Sequence, residues 1–445
     1  MREGSLDAPT RHAIAWKDEA YYDEEKLDTE LRRQFNVCHG CRRCFNLCDS
    51  FPRLFDLVDE AGDAELEGVT SDQLKTVVDA CTLCDMCFLT KCPYVPPHEF
   101  NLDIPHLMIR HRAVQNKKGA IGFIDQKLTE TDANAKLGCG MSGLANWATK
   151  RGNALTRPVL QAVAGIHKDA ELPKYSSKTF VQQATAEPPQ VNKEAPAHGR
   201  KAVLYATCFA NYNNPEIGKA AQAVLAKNGV ETEVVYPECC GMPQLEHGDL
   251  ERVETKAKSV AGALEPWIDK GYDVIALVPS CALMLKFEWP LIVSDDDKIK
   301  KLAQATFDIP EYIMGIAKKE GLADGLAPLG GDITAHIACH ARAQNMGQKA
   351  TQMLRLIPDT KVQPIERCSG HGGSWGIKKE WFPVAMKVGK PVAKQALKNE
   401  NAFLVSECPL AREHVMQGIE AEQGDVAKIE TYQHPIQLLA KAYGL

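Results

Sequence analysis

The chain has 445 residues, 44% of them hydrophobic and 25% charged, the make-up of a globular protein of two to three domains with more than one buried core. Its net charge of -6 leaves no electrostatic footprint for nucleic acid, so the partners expected are proteins and small molecules. Sixteen cysteines in a long chain whose N-terminus lacks the apolar core of an export signal point to metal rather than to a disulfide framework.

Two cysteine runs come first. CHGCRRCFNLCDSFP carries Cys38, Cys41, Cys44 and Cys48, and CTLCDMCFLTKCPYVPP carries Cys81, Cys84, Cys87 and Cys92. Three thiolates at three-residue steps wrap three irons of a cubane, and the fourth ligand comes from the other run. On this ferredoxin pattern Cys38, Cys41, Cys44 and Cys92 hold one 4Fe-4S cluster, and Cys81, Cys84, Cys87 and Cys48 hold the other, with Pro93 as the stop after the fourth ligand. Zinc also takes CxxC pairs, but it gives no reason for a third cysteine at the same step in both runs. Between the runs, FPRLFDLVDEAG and SDQLKTVVDACTL have apolar residues at helical spacing, with Ser71 as the expected cap of the second. Residues 1–100 therefore read as a two-cluster ferredoxin module of the alpha-helical type.

Residues 101–171 alternate apolar and basic positions and read as an extension of amphipathic helices broken at Pro105 and Pro158. They either pack onto the ferredoxin module or dock a partner or a membrane surface. Cys139 has no cysteine at ligand spacing and reads as a buried thiol, while His98, His106 and His111 suit a packed helical region. Residues 172–200, rich in Pro, Ala, Gln and Lys without periodicity, have the composition of a linker.

From Lys201 the pattern becomes strand, helix, strand, helix. AVLYATC, TEVVYPECCG and DVIALVPSC read as strands ending at Cys208, at Cys239 and Cys240, and at Cys281. The order returns about 130 residues later. DITAHIAC, TKVQPIERCSG and AFLVSEC end at Cys339, Cys368 and Cys408. In open parallel sheets the loops at the carboxyl ends of strands form the binding crevice, so each repeat brings its cysteines to one place. The longest apolar run, VIALVPSCALML, is interrupted by Pro279 and is too short to span a bilayer.

With both halves in view, the chain resembles the iron-sulfur subunits typified by that of anaerobic glycerol-3-phosphate dehydrogenase, which join a two-cluster ferredoxin module to two cysteine-rich CCG domains also found in heterodisulfide reductases. The two ferredoxin runs and ECCG at 238–241 carry most of the likeness, with HIACHAR and CSGHGGSWGIKKE matching the second domain in outline. The resemblance implies an α+β multidomain protein: an N-terminal alpha-helical ferredoxin module, then two pseudo-repeated α/β CCG domains with parallel-type strands at 201–330 and 331–445. The family's CCG pattern is a lone cysteine, then Cys-Cys-Gly, then CxxC. In the first repeat Met284 stands at the last cysteine, leaving Cys208, Cys239, Cys240 and Cys281 for a third iron-sulfur cluster or zinc. In the second, Ser369 and Ala411 replace cysteines, leaving Cys339, Cys368 and Cys408, with His371, His340 or His336 as the fourth ligand and His371 preferred.

The function implied is electron transfer. A flavoprotein dehydrogenase partner passes electrons through two 4Fe-4S clusters and the first CCG site to a quinone or other acceptor, and the chain itself binds no substrate. The alternative is a heterodisulfide reductase-like thiol-disulfide or sulfur-substrate reductase with the CCG site as its catalytic centre. A structural zinc-and-cluster protein is a third reading. The location expected is cytoplasmic, with peripheral attachment to the inner face of the cytoplasmic membrane left open.

Overall fold

The computed structural model describes residues 4, 5 and 7–445, with Lys91 by its backbone alone. Around the N-terminal cysteines the helical spacing of apolar residues produces α1 (Glu24–Cys41), α2 (Ser50–Ala61) and α3 (Ser71–Asp79). Leu31 and Phe35 of α1, Leu54 and Phe55 of α2, and Leu74 and Val78 of α3 bury one shared core, each side chain contributing about 1.5–3 kcal/mol. Thr70, not Ser71, caps α3. Its hydroxyl accepts from Gln73 N while the Gln73 amide accepts from Thr70 N, a reciprocal pair that satisfies two otherwise orphaned donors. Ser71 is the first helical residue and donates to Asp28.

The middle segment forms α4 (Ile104–Lys117), α5 (Phe123–Thr129), α6 (Thr131–Gly140), α7 (Ser142–Thr149) and α8 (Arg157–Ala164). Pro105 and Pro158 start helices rather than break them, because in the first turn the missing N–H has no intrahelical partner to lose. Residues 172–200, expected from composition to be a linker, contain α9 (Phe180–Ala186), whose Phe180 is fully buried with its ring over Gly218. Only hydrogen at that glycine lets the ring approach.

Two all-parallel sheets follow, one per repeat. The first runs β2-β1-β3-β4, with β1 (Lys201–Tyr205), β2 (Glu231–Val235), β3 (Asp273–Ala276) and β4 (Thr306–Asp308). The second runs β6-β5-β7, with β5 (Ile333–His336), β6 (Val362–Ile365) and β7 (Phe403–Ser406). The strand β4 is three residues long and escaped the sequence reading. Without it the two sheets have the same order, as the repeat required. The strands β1, β3, β5 and β7 are largely apolar and buried, which follows from helices covering both faces of a parallel sheet.

The repeat cysteines do not end strands. Each lies two to five residues beyond one, in the loop or first helical turn that follows. The crevice at the carboxyl ends of the strands is therefore lined by helix starts.

Candidate metal centres

Cys38 and Cys41 finish α1, and Arg42, in the left-handed region at φ 52°, turns the chain so that Cys44 comes back beside them. Cys92 returns from the second run. Cys38, Cys41, Cys44 and Cys92 line one cavity, closed by Phe51, Phe55 and Tyr94. Burial pushes the Cys38 thiol well up, and the fields of Cys92, Cys44 and Cys41 push it further. Four neighbouring, partly buried thiolates repel one another, so a cationic group between them is what would make all four anionic together. An apolar cavity walled by four sulfurs fits an iron-sulfur cluster on that ground.

In CTLCDMC the backbone is left-handed at Leu83 (φ 49°) and Asp85 (φ 62°), which curls the loop inward. Cys87 thereby lies in the field of Cys84, Cys81 and Cys48. Burial pushes the Cys48 thiol up to about 12. Two arginines that no local pattern marks hold this loop. Arg112 donates to the carbonyls of Val78 (3.0 Å), Cys81 (2.5 Å) and Glu246 (2.9 Å). Arg11 pairs with Asp85 (2.7 Å), Asp103 (3.0 Å) and Glu288 (3.0 Å).

In the first repeat, Cys208 opens the short helix Cys208–Tyr212 after Thr207, a buried β-branched residue at φ 56°. That conformation costs about 1–3 kcal/mol and persists because the surroundings impose it. The sulfurs stand in a file of interacting neighbours, Cys208 beside Cys239, Cys239 beside Cys240 and Cys240 beside Cys281. Hydrogen bonds from Cys208 and Cys240 draw the Cys239 thiol well below its usual range despite burial. Asp132 of α6 steadies the doublet, accepting from Cys239 N (2.9 Å) and from the Tyr236 hydroxyl (2.6 Å), with Lys256 at 3.5 Å. Met284, at the missing cysteine, is fully buried and packs in the core.

In the second repeat, Cys339 lies in the fields of Cys368 and Cys408. Ser369 and Gly370 press against the helix Phe382–Asn399. A Cβ on Gly370 (φ 83°) would come within 2.1 Å of Ala385 O, and one on Gly389 within 2.2 Å of Ser369 O. The loop CSGHGG thus has a packing reason for its glycines. His336 spends both ring nitrogens, on Ser406 Oγ (2.9 Å) and Arg367 O (3.0 Å). So does His340, on Ser280 Oγ (2.8 Å) and Leu83 O (3.2 Å). These two imidazoles are loop fasteners. His371 lies beside His414, ring centroids 6.3 Å apart, and burial with the fields of His414 and His340 pushes it down to about 3. Among the described residues no three His, Cys, Asp or Glu side chains stand close enough to hold a single metal ion.

The four thiol groups stand in series. Cys87 of the second set feels Cys44 of the first, Cys84 and Cys48 feel Cys368, and Cys84 also feels Cys339. Cys408 in turn feels Cys281. The thiols of the second repeat thus lie in the field of the N-terminal cysteine block.

The cysteine-rich (CCG) domain matches twice, over residues 202–286 and 333–410. The chain is 25% identical over 318 residues to the C subunit of anaerobic glycerol-3-phosphate dehydrogenase from Escherichia coli (strain K12), covering 71% of this chain and 76% of that one. It is 30% identical over 189 residues to lactate utilization protein A of Bacillus pumilus, covering 40% and 75%. With the B subunit of the fumarate reductase (CoM/CoB) of Methanothermobacter marburgensis it shares 27% over 257 residues, 55% of this chain and 47% of that one.

Proposed function

We propose, from the premise that this chain belongs to the cysteine-rich CCG-domain family of iron-sulfur proteins, that it is the electron-transfer subunit of an oxidoreductase complex. In this reading an alpha-helical ferredoxin module at 1–100 holds two 4Fe-4S clusters, one on Cys38, Cys41, Cys44 and Cys92, the other on Cys81, Cys84, Cys87 and Cys48. The observation that carries it is the cavity walled by four cysteines drawn from two separate runs. Clusters bound there supply one-electron carriage. The chain's own residues keep water out with Phe51, Phe55 and Tyr94, and fix the loops with Arg112 and His340. A flavoprotein dehydrogenase is the donor and a quinone or similar carrier the acceptor; the relatives named for a dehydrogenase and a reductase support such a complex.

In this reading electrons pass from the first ferredoxin set to the second, then to the second CCG site with Cys339, Cys368, Cys408 and His371, and then to the first CCG site with Cys208, Cys239, Cys240 and Cys281, an order supported by which thiols lie in one another's fields. Iron, acid-labile sulfide and zinc per chain, with electron paramagnetic resonance after anaerobic reduction, test the reading. About eight irons place redox in the ferredoxin module alone, and about twelve add a CCG cluster. Zinc in place of iron with no spin signal sinks it.

One observation favours a second reading, a sulfur-substrate reductase centred on the first CCG site. Cys208, Cys239, Cys240 and Cys281 lie beside one another there, an arrangement of thiols that disulfide exchange can use. Disulfide turnover by the isolated chain would select it.

A further inference from the structure

Nine of the fourteen large hydrophobic side chains that stand exposed among the described residues fall between Phe123 and Val163. Phe123, Leu137, Leu144, Trp147, Leu155 and Val163 are between 51 and 75% exposed. A concentration of this kind on one run of helices is a contact surface that the fold itself leaves uncovered.

Its charge is equally one-sided. Residues 133–168 contain no Asp or Glu, in a chain with 58 acidic residues among 445, where a stretch of that length would ordinarily carry roughly five. The same residues include Lys136, Lys150, Arg151, Arg157 and Lys168. Arg151 pairs with Glu171 and Glu420, and Arg157 is buried, donating to the carbonyls of Thr149, His167, Lys168 and Ala170. Lys136 and Lys150 are exposed beside the apolar side chains and have no ion-pair partner among the described residues.

We propose that the outer face of α5–α8 seats on an anionic lipid surface, with Trp147, Leu144 and Leu155 entering the headgroup boundary and Lys136 and Lys150 facing the phosphates. An apolar centre with an aromatic residue and a lysine rim, on a stretch, 133–168, that is free of Asp and Glu, is the chemistry of an interfacial helix cluster. The face is joined to the second repeat. Lys379 N donates to Gly165 O (2.7 Å), His167 N to Ile377 O (2.8 Å), and Lys378 pairs with Asp125 (2.7 Å), just beyond the loop that carries Cys368. The proposal rests on the electron-relay reading only in giving that relay a lipid side, where a lipid-soluble acceptor is found.

The test is flotation of the full-length protein, purified without air, on vesicles of phosphatidylcholine alone and of phosphatidylcholine mixed with phosphatidylglycerol. Binding to the anionic vesicles only, weakened by salt, with a blue shift of tryptophan emission, is the expected result. The double variant Leu144→Glu, Trp147→Glu should lose about tenfold or more in vesicle affinity while keeping its iron, since both side chains are exposed. No binding to either vesicle, equal binding to both, or binding untouched by the double variant overturns the proposal. So does a face that instead mediates self-association, read by sedimentation velocity. Iron and spin signals measured on the same samples test the relay separately, so failure of one is distinguishable from failure of the other.

Discussion

Arg11 and Asp85 are joined by a 2.7 Å ion pair that ties the N-terminal segment to the residue lying between Cys84 and Cys87. The same guanidinium reaches Asp103 and Glu288 and lies over the Phe88 ring, 4.3 Å from its centroid. All three carboxylates are largely buried, so removing the cation takes the ion-pair partner from Asp85 and leaves Asp103 and Glu288 to share His106 alone. Arg11→Met should therefore destabilise the chain by about 3–5 kcal/mol and loosen the CTLCDMC loop. Urea unfolding together with iron content on the purified variant checks it. A variant with wild-type midpoint and full iron would show that the cluster of charges is dispensable.

The same network gives a pH dependence. Burial alone would push His106 below its ordinary value of 6.5, but Asp103 and Glu288 outweigh burial and raise it. Its contribution is thus fully present below about pH 6.5 and is lost as pH rises through the folded value. Glu288 runs the other way. Burial would raise it, yet His106 and Arg11 hold it down to about 2, so its contribution is present above its ordinary 4.5 and is lost as pH falls through 2. The stability advantage of wild type over His106→Gln should be largest between about pH 5 and 6.5 and shrink towards pH 8. Thermal unfolding across that range reads it, and a flat difference would remove His106 from the account.

What the sequence made legible follows the range of the interactions. The cysteine spacing, the helices around it and the doubled order of strands are local patterns, and the core strands and helices formed where they were expected. Thr70 displaced Ser71 as a cap because the partner glutamine sits three residues from Thr70. The fasteners of the sites were invisible. Arg11 meets Glu288 across 277 positions and His340 meets Leu83 across 257, and a single sequence has no signal for such pairs. Which repeat faces the N-terminal block is decided by tertiary packing and not by motif.

The second-repeat loop offers a test of why its glycines are there. Gly330 and Gly370 both have positive φ, but a Cβ on Gly330 meets open space while one on Gly370 meets Ala385 O at 2.1 Å. Gly330→Ala should cost only the left-handed conformation, about 1–2 kcal/mol. Gly370→Ala must also move the helix Phe382–Asn399 or the loop, for a further cost of about 1–3 kcal/mol. Denaturant midpoints of the two variants, compared with wild type, would rank them; equal midpoints would mean the loop has room that its packing denies.

The crossed pairing of the two cysteine runs makes the sharpest prediction, because it concerns which losses coincide. If Cys92 completes the set of Cys38, Cys41 and Cys44, then Cys92→Ala and Cys38→Ala each remove the same cluster, about four irons, and the double variant removes no more. Cys92→Ala combined with Cys84→Ala, by contrast, should remove about eight, since Cys84 lies with Cys48, Cys81 and Cys87. Under uncrossed pairing, Cys92 with Cys84 would be the redundant pair and Cys92 with Cys38 the additive one. Iron and sulfide counts on four variants decide between them, and Cys139→Ala serves as the control, its sulfur donating to Tyr212 O (3.5 Å).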